Sequence, residues 1–312
     1  MKILFISPRY EGGIGGHAKR VAEKLRENGI DVELMKVPHI PIKNFKNPSF
    51  TIFGKMKALL NSNQYDVVHA WNIPSAFVMK NINAQKKILS VHGNYGQQVE
   101  KIHSNTLQKI GKKAELEALK IVDTFTTDSK FVQNYYRKYH QLNFKLLPAP
   151  LDILKFNNIN DNKNKKNQII YIGRDSYEKG IDILQSIEHK INSNVVYCTD
   201  LPWKETMETL MQSKILVVPS RMESIPQVIK EAFYLKIPVI ATNVGGVSEI
   251  LKNKETGILI PAEEPEILLN SINSLLEDKT LQEKLTHEAF KFITENFSWK
   301  KLLQDYIDLY EN

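Results

Sequence analysis

Two glutamates eight positions apart, Glu223 and Glu231, sit in the segment PSRMESIPQVIKEAFYLKIPVIATNVGGVSEI, residues 219 to 250. The preceding run Ile215-Leu-Val-Val reads as a buried parallel strand, Pro226 as the opening of a helix, and Pro238-Val-Ile-Ala as the next strand. Glu223 therefore falls on a loop at the strand's C-terminal edge, and Glu231 about a turn and a half into the helix. Ligands of open α/β sheets bind outside the carboxyl ends of strands, so both acids are placed to hold one ligand rich in hydroxyls. Read only as a helix surface, the same pair would be solvated and inert.

A second cluster has the chemistry of phosphate recognition. In Tyr171-Ile-Gly-Arg174-Asp-Ser-Tyr-Glu-Lys179-Gly180 two cations share one strand-to-helix loop. Arg174 can grip oxygens bidentately and Lys179 adds a compact point charge, a combination suited to a diphosphate. Glu11-Gly-Gly-Ile-Gly-Gly-His17 follows the first strand-like run and opens a helix, whose N-terminus offers unpaired N–H groups to an anion. Its GGxGG spacing differs from the dinucleotide fingerprint, and no acidic residue ends the second strand. Asn243-Val-Gly245-Gly246-Val-Ser-Glu249 is another glycine turn into a helix, in which Glu249 suits the helix dipole. A lone histidine, His92, ends a strand-like run at Val91-His92-Gly93.

Taken together, Glu223-x7-Glu231, the trailing Pro-Val-Ile-Ala-Thr…Gly-Gly…Glu and the Gly173-Arg174…Lys179-Gly180 motif closely resemble the donor site of retaining glycosyltransferases of family 4, group 1. The resemblance implies the GT-B architecture, two Rossmann-like α/β domains facing across a cleft, with a C-terminal helix crossing back to the first. It implies that Glu223 contacts the sugar of a nucleotide diphosphate sugar and Glu231 the ribose. The backbone at Ser224, Ile225 and Pro226 would line the sugar pocket, and Arg174 and Lys179 would hold the diphosphate approached by Gly15 and Gly16. His92 would stand near the reacting centre. As the glycosidic bond breaks, charge grows on the leaving diphosphate, and the two cations would stabilise it without a metal. No cofactor is expected beyond the donor itself, a UDP-sugar in preference to a GDP-sugar.

Three departures bear on specificity. Ser224 stands where the family usually has glycine, so a side chain enters the sugar pocket. Leu147-Pro-Ala149-Pro150-Leu-Asp152 replaces the usual Pro-Asn-Gly-Val-Asp, and only 38 residues separate Gly180 from Pro219, about half the usual spacing. These departures leave a non-catalytic nucleotide-sugar-binding or scaffold subunit as the competing reading. The segment Glu117…Asp123 and Asp128-Ser129 matches a family pattern read as structural, with Ser129 capping a helix.

The elements that must position these groups are legible as alternation. Strand-like runs fall at 2–7, 31–37, 65–69, 87–91, 121–127 and 143–147, then at 168–173, 194–198, 214–218, 237–241 and 257–260, with helical patterns between them. Helices are expected at Gly16–Asn28, stopped by Gly29, at Ser129–Tyr139, and at about 264–276 and 279–295. The polar run 157–167, NNINDNKNKKN, reads as a linker. The expected organisation is an acceptor-binding domain over 1–155, a shortened donor-binding domain over 168–295, and a terminal helix over 296–312 packing on the first.

The 312 residues suffice for two cores, no run of about 18 apolar residues spans a bilayer, and Met1-Lys-Ile-Leu-Phe-Ile enters a strand without a leader. One cysteine, Cys198, excludes an internal disulfide, in keeping with a cytoplasmic protein. The net charge of +7 divides into +12 over residues 1–150 and −5 over 151–312. None of the nucleic-acid-binding signatures is present, so the basic half points to a phosphate-bearing or lipid-linked acceptor, a glycan, or an anionic membrane face. Residues 38–60 mix Phe45, Phe50 and Phe53 with Lys43, Lys46, Lys55 and Lys57, and 97–120 are lysine-rich. Either stretch suits an anionic lipid surface, or a core-packed helix with a solvated face.

Overall fold

A computed structural model describes residues 1–9, 13–42, 45–93, 105–159 and 165–311, without the side chains of 105–107. Glu11, Gly12, Lys43, residues 97–104 of the lysine-rich stretch and the middle of the 157–167 run lie outside them. The chain forms two compact units, Met1–Ala149 with Gln304–Asn312, and Pro150–Leu303.

The first unit is a six-stranded parallel sheet in the order β2-β1-β3-β4-β5-β6. Its strands are β1 (Lys2–Pro8), β2 (Asp31–Val37), β3 (Gln64–Ala70), β4 (Asn83–Ser90), β5 (Thr124–Thr127) and β6 (Phe144–Leu146). The crossovers carry helices α1 (Gly13–Glu27), α2 (Lys46–Leu59), α3 (Ile73–Met79), α4 (Asn105–Leu119) and α5 (Lys130–His140). In β1, Ile3 to Phe5 and Ile6 are fully buried, as a central parallel strand covered on both faces requires. Gly29, at φ +80°, ends α1, and the Ser129 hydroxyl accepts the Val132 N–H at 3.1 Å to cap α5. Strand order reverses between β1 and β3, which sets a topological switch point at their C-terminal ends.

The second unit is a five-stranded parallel sheet in the order β11-β10-β9-β7-β8. Here β7 is Gln168–Ile172, β8 Asn194–Cys198, β9 Ile215–Val218, β10 Val239–Thr242 and β11 Ile258–Ile260. Its helices are α6 (Ile181–Ile187), α7 (Trp203–Met211), α8 (Gln227–Tyr234), α9 (Val247–Ile250), α10 (Pro265–Glu277) and α11 (Lys279–Asn296). Residues from Pro150 onward pack with this unit: Leu151 and Phe156 join its core, and the Leu151 N–H donates to the Phe297 carbonyl at 2.7 Å. The switch point lies between β7 and β9, directly beneath the loops that carry Arg174, Lys179 and Glu223. Helix α12 (Trp299–Glu311) follows, and its residues from Gln304 onward belong to the first unit. Among the described residues no helix is long and apolar enough to cross a membrane.

Candidate active site

In the second unit the two loops at the switch point are joined through their side chains. The Lys179 ammonium donates to Glu223 Oε1 at 2.5 Å, and the Ser220 hydroxyl donates to the same oxygen at 2.8 Å. The Glu223 side chain is only 9% exposed and that of Lys179 25%. A half-buried pair of this kind holds its two charges in fixed positions, one presented to anions and one to hydroxyl donors.

The loop backbone is fixed from three directions. The Arg221 and Met222 N–H groups donate to the Glu178 carbonyl at 2.8 and 3.2 Å, which ties the β9 loop to the β7 loop. The Thr242 hydroxyl donates to the Ser220 carbonyl at 2.5 Å, and the Gly246 N–H to the Ser224 carbonyl at 2.9 Å. Two glycines make this packing sterically feasible. A Cβ on Gly180, at φ +65°, would lie 2.1 Å from the Pro219 carbonyl oxygen, and one on Gly245, at φ +56°, 1.8 Å from that of Glu223. No other residue tolerates both the left-handed backbone and so close an approach.

Arg221, which motif reading passed over, is the clamp at the loop's outer side. Its guanidinium bonds both Asp182 oxygens at 2.7 Å and Glu263 at 2.9 Å, and it lies 4.1 Å over the Tyr177 ring. The Arg221 hydrogen bond holds the Asp182 carboxyl below its usual range. The only sequence signal was an arginine two residues before Glu223, and its partners are fixed by the neighbouring loop. By contrast, the Arg174 side chain is exposed and makes no hydrogen bond or ion pair among the described residues, while its carbonyl accepts from the Tyr171 hydroxyl at 2.7 Å. Burial, reinforced by the negative charge of Glu223, pushes that hydroxyl's pKa up.

Glu231 lies on α8, as its spacing from Pro226 required, and its Oε1 accepts the Trp203 indole N–H at 2.9 Å. Trp203 opens α7 and was not anticipated. Ser224, Ile225 and Pro226 continue the β9 loop into α8, and all three are partly or fully buried. The structure thus brings Lys179, Glu223 and the Ser224–Pro226 backbone together at one sheet edge, with Arg174 at the head of the β7 loop.

The first unit carries the other sequence candidates. Gly15 and Gly16 are buried in the first turn of α1, where helical N–H groups lack intrahelical partners. His92 follows β4, and its Nδ1 lies 3.2 Å from Asp128 Oδ2, beyond the end of the neighbouring β5. The Asp128 carboxylate accepts the hydrogen bond of Nδ1, which fixes the orientation of the ring. Nε2 is buried and has no hydrogen-bond partner among the described residues. Asp128, read from sequence as structural, is therefore a positioning group for His92; the adjacency of β4 and β5 was the signal that could have paired them. Trp71 stacks parallel to the His92 ring at 6.1 Å. A cavity of about 210 Å³ at this switch point is lined by Ile14, His39, Lys46, Asn72 and His92, among others.

Beneath it, His69 is completely buried between the Tyr310 hydroxyl of α12 at 2.8 Å and Ser90 at 2.7 Å, and Ser90 continues to Thr126 at 2.6 Å. His17 meets the Tyr306 hydroxyl at 2.9 Å. Burial, and secondarily the proximity of His92, drives the His69 pKa well below its usual 6.5. A depressed histidine pKa gives stability that is complete above the unfolded value and is lost as pH falls below it. Acidification below about 6.5 should therefore progressively destabilise the first unit. Urea midpoints measured across that range should show the slope, and His69→Gln should flatten it.

Among the described residues no group of three or more His, Cys, Asp or Glu side chains is arranged as a metal site. Two Rossmann-like parallel-sheet units make up the GT-B fold of glycosyltransferases. The chain belongs to the group 1, family 4 glycosyltransferases: "Glycosyltransferase Family 4" matches residues 11–152 and "Glycosyl transferases group 1" residues 183–292. Two uncharacterized glycosyltransferases of Methanocaldococcus jannaschii are 23% and 26% identical, each aligned over 100% of this chain and 98% of its own length. Among solved structures, sucrose-phosphate synthase of Thermosynechococcus elongatus superposes with a TM-score of 0.81 at 18% identity, covering 99% of this chain and 98% of that one. HepE of Anabaena gives 0.75 at 15% identity, covering 99% of both chains.

Proposed function

We propose that this glycosyltransferase moves a sugar from a nucleotide diphosphate sugar, a UDP-sugar in preference to a GDP-sugar, to a saccharide, lipid-linked or small-molecule acceptor. The reaction retains anomeric configuration and needs no metal. The observation that carries this reading is the Lys179–Glu223 pair on joined switch-point loops, with the Arg174 guanidinium exposed on the same β7 loop. A diphosphate seated on Arg174 and Lys179 places its sugar at Glu223, whose carboxylate accepts hydroxyl hydrogen bonds, and its ribose towards Glu231. Charge developing on the departing phosphate is met by the two cations. No second carboxylate is assigned to the reacting carbon, so attack on the donor's own face is favoured over double displacement, with the leaving phosphate taking the acceptor's proton. His92 Nε2, oriented through Asp128, can accept a hydrogen bond from a sugar or acceptor hydroxyl. The HepE structure was solved with UDP-glucose, which supports the choice of nucleotide.

The test is ligand stabilisation. UDP at about a hundredfold excess over its dissociation constant adds about 2.7 kcal/mol, or roughly 5 to 10 °C in melting temperature for a unit of this size. GDP should shift it less. A shift with UDP-sugars but no transfer or hydrolysis would favour the scaffold reading, and no shift with any nucleotide would remove the donor assignment.

A further inference from the structure

Helix α2 is apolar on two opposite faces, and only one of them is used by the fold. At about 100° per residue, Phe50, Gly54 and Ala58 share the buried face, on which Gly54 lies close against Val78. Phe45, Ile52, Met56, Leu59 and Leu60 fall within an arc of roughly 100° on the opposite side. All five are exposed, Leu59 by 76% and Leu60 by 87%. The adjoining Ile42 is 58% exposed. Ser49, which falls within the same arc in the first turn, is buried and accepts the Ile40 N–H at 2.9 Å, so the exposed apolar surface is concentrated from Ile52 to Leu60. Exposed apolar side chains clustered in this way mark an interaction site.

Charge identifies the partner. Lys55 lies just beyond one edge of the apolar arc, and Lys46 and Lys57 just beyond the other. Between Glu33 and Asp66 the chain has five lysines and no acidic residue. Apolar side chains flanked on both sides by lysines match the boundary of an anionic bilayer, where the rings and aliphatic chains enter and the ammonium groups stay among the headgroups. A protein interface would not require the acid-free surroundings.

We propose that the outer face of α2 is a docking surface for an anionic membrane. The N-terminal end of the same helix contributes Lys46, Asn47 and Phe50 to the cavity that His92 lines. Docking through this helix places the unit that carries the cavity at the membrane surface, which favours a lipid-borne acceptor. This last step rests on the reading above, that the first unit receives the acceptor; the docking does not.

The experiment is cosedimentation of the full chain with vesicles of phosphatidylcholine alone and of phosphatidylcholine with phosphatidylglycerol. Binding is expected only to the anionic vesicles and should weaken as salt rises. The double variant Met56→Glu with Leu59→Glu should lower the partition coefficient at least tenfold, and Lys55→Gln with Lys57→Gln should lower it severalfold. Both variants should keep the lipid-free melting temperature and the UDP-induced shift. Absence of binding to anionic vesicles, or binding that survives the double glutamate variant, would overturn the proposal. So would a wild-type dimer in light scattering that the glutamate variant dissociates without any vesicle binding, since the face would then be a self-association surface. A failed vesicle assay with the UDP shift intact removes the membrane alone and leaves the donor site standing.

Discussion

Replacing Glu223 with alanine is expected to lower donor turnover by roughly ten- to hundredfold, the kinetic equivalent of losing one charge-assisted hydrogen bond of about 1.5 to 3 kcal/mol. The structure adds a second cost. Lys179 and Ser220 both donate to Glu223 Oε1, so the truncation releases the ammonium from its position as well as deleting the proposed sugar contact. Glu223→Gln keeps the shape and an acceptor for Ser220 while removing the charge, and should fall between wild type and alanine. Measuring kcat/KM for donor hydrolysis separates the three. Equal rates in all of them would dissociate Glu223 from the donor.

Gly245→Ala should be the most damaging single-methyl change in the second unit. A left-handed backbone costs a non-glycine residue about 1 to 3 kcal/mol. Here the added Cβ would also stand 1.8 Å from the Glu223 carbonyl oxygen, which forces the loop to move. Loss of stability and loss of turnover are therefore expected together, because the displaced backbone carries Glu223, the acid proposed to bind the sugar. Gly29→Ala is the matched control: its φ is +80°, but nothing lies within 4 Å of the added methyl. It should lose about 1 kcal/mol of stability from backbone strain alone and leave turnover intact. Urea midpoints and donor hydrolysis on the two variants check both statements.

The strands were legible because central parallel strands are buried on both faces and read as apolar runs. Ile3–Ile6 and Ile215–Val218 are of this kind. Where burial fails, so does the signal: β4 begins at Asn83, in the polar stretch Asn-Ala-Gln-Lys-Lys, and only pairing with β3 reveals it. Similarly β5 starts only at Thr124: the Ile121 N–H bonds back to the Ala118 carbonyl at the end of the preceding helix, so the apolar Ile121 and Val122 precede the strand rather than belonging to it. For the candidate site, residue type and loop position identified Lys179 and Glu223 separately. Their direct pairing depends on β7 lying beside β9, a neighbour relation that skips β8 in sequence. The same limit hid Asp128 behind His92, Trp203 behind Glu231 and the contact between His17 and Tyr306, 289 residues apart. Each is a partner chosen by topology.

The central claim is that the switch-point loops of the second unit hold the donor, and amide hydrogen exchange with and without a UDP-sugar tests it most directly. The account predicts slowed exchange concentrated in residues 173–180, 219–231 and 243–249, with little change in β8 or α11, and loss of the protection in Glu223→Ala. Protection confined to other segments, or none at saturating donor, would contradict it.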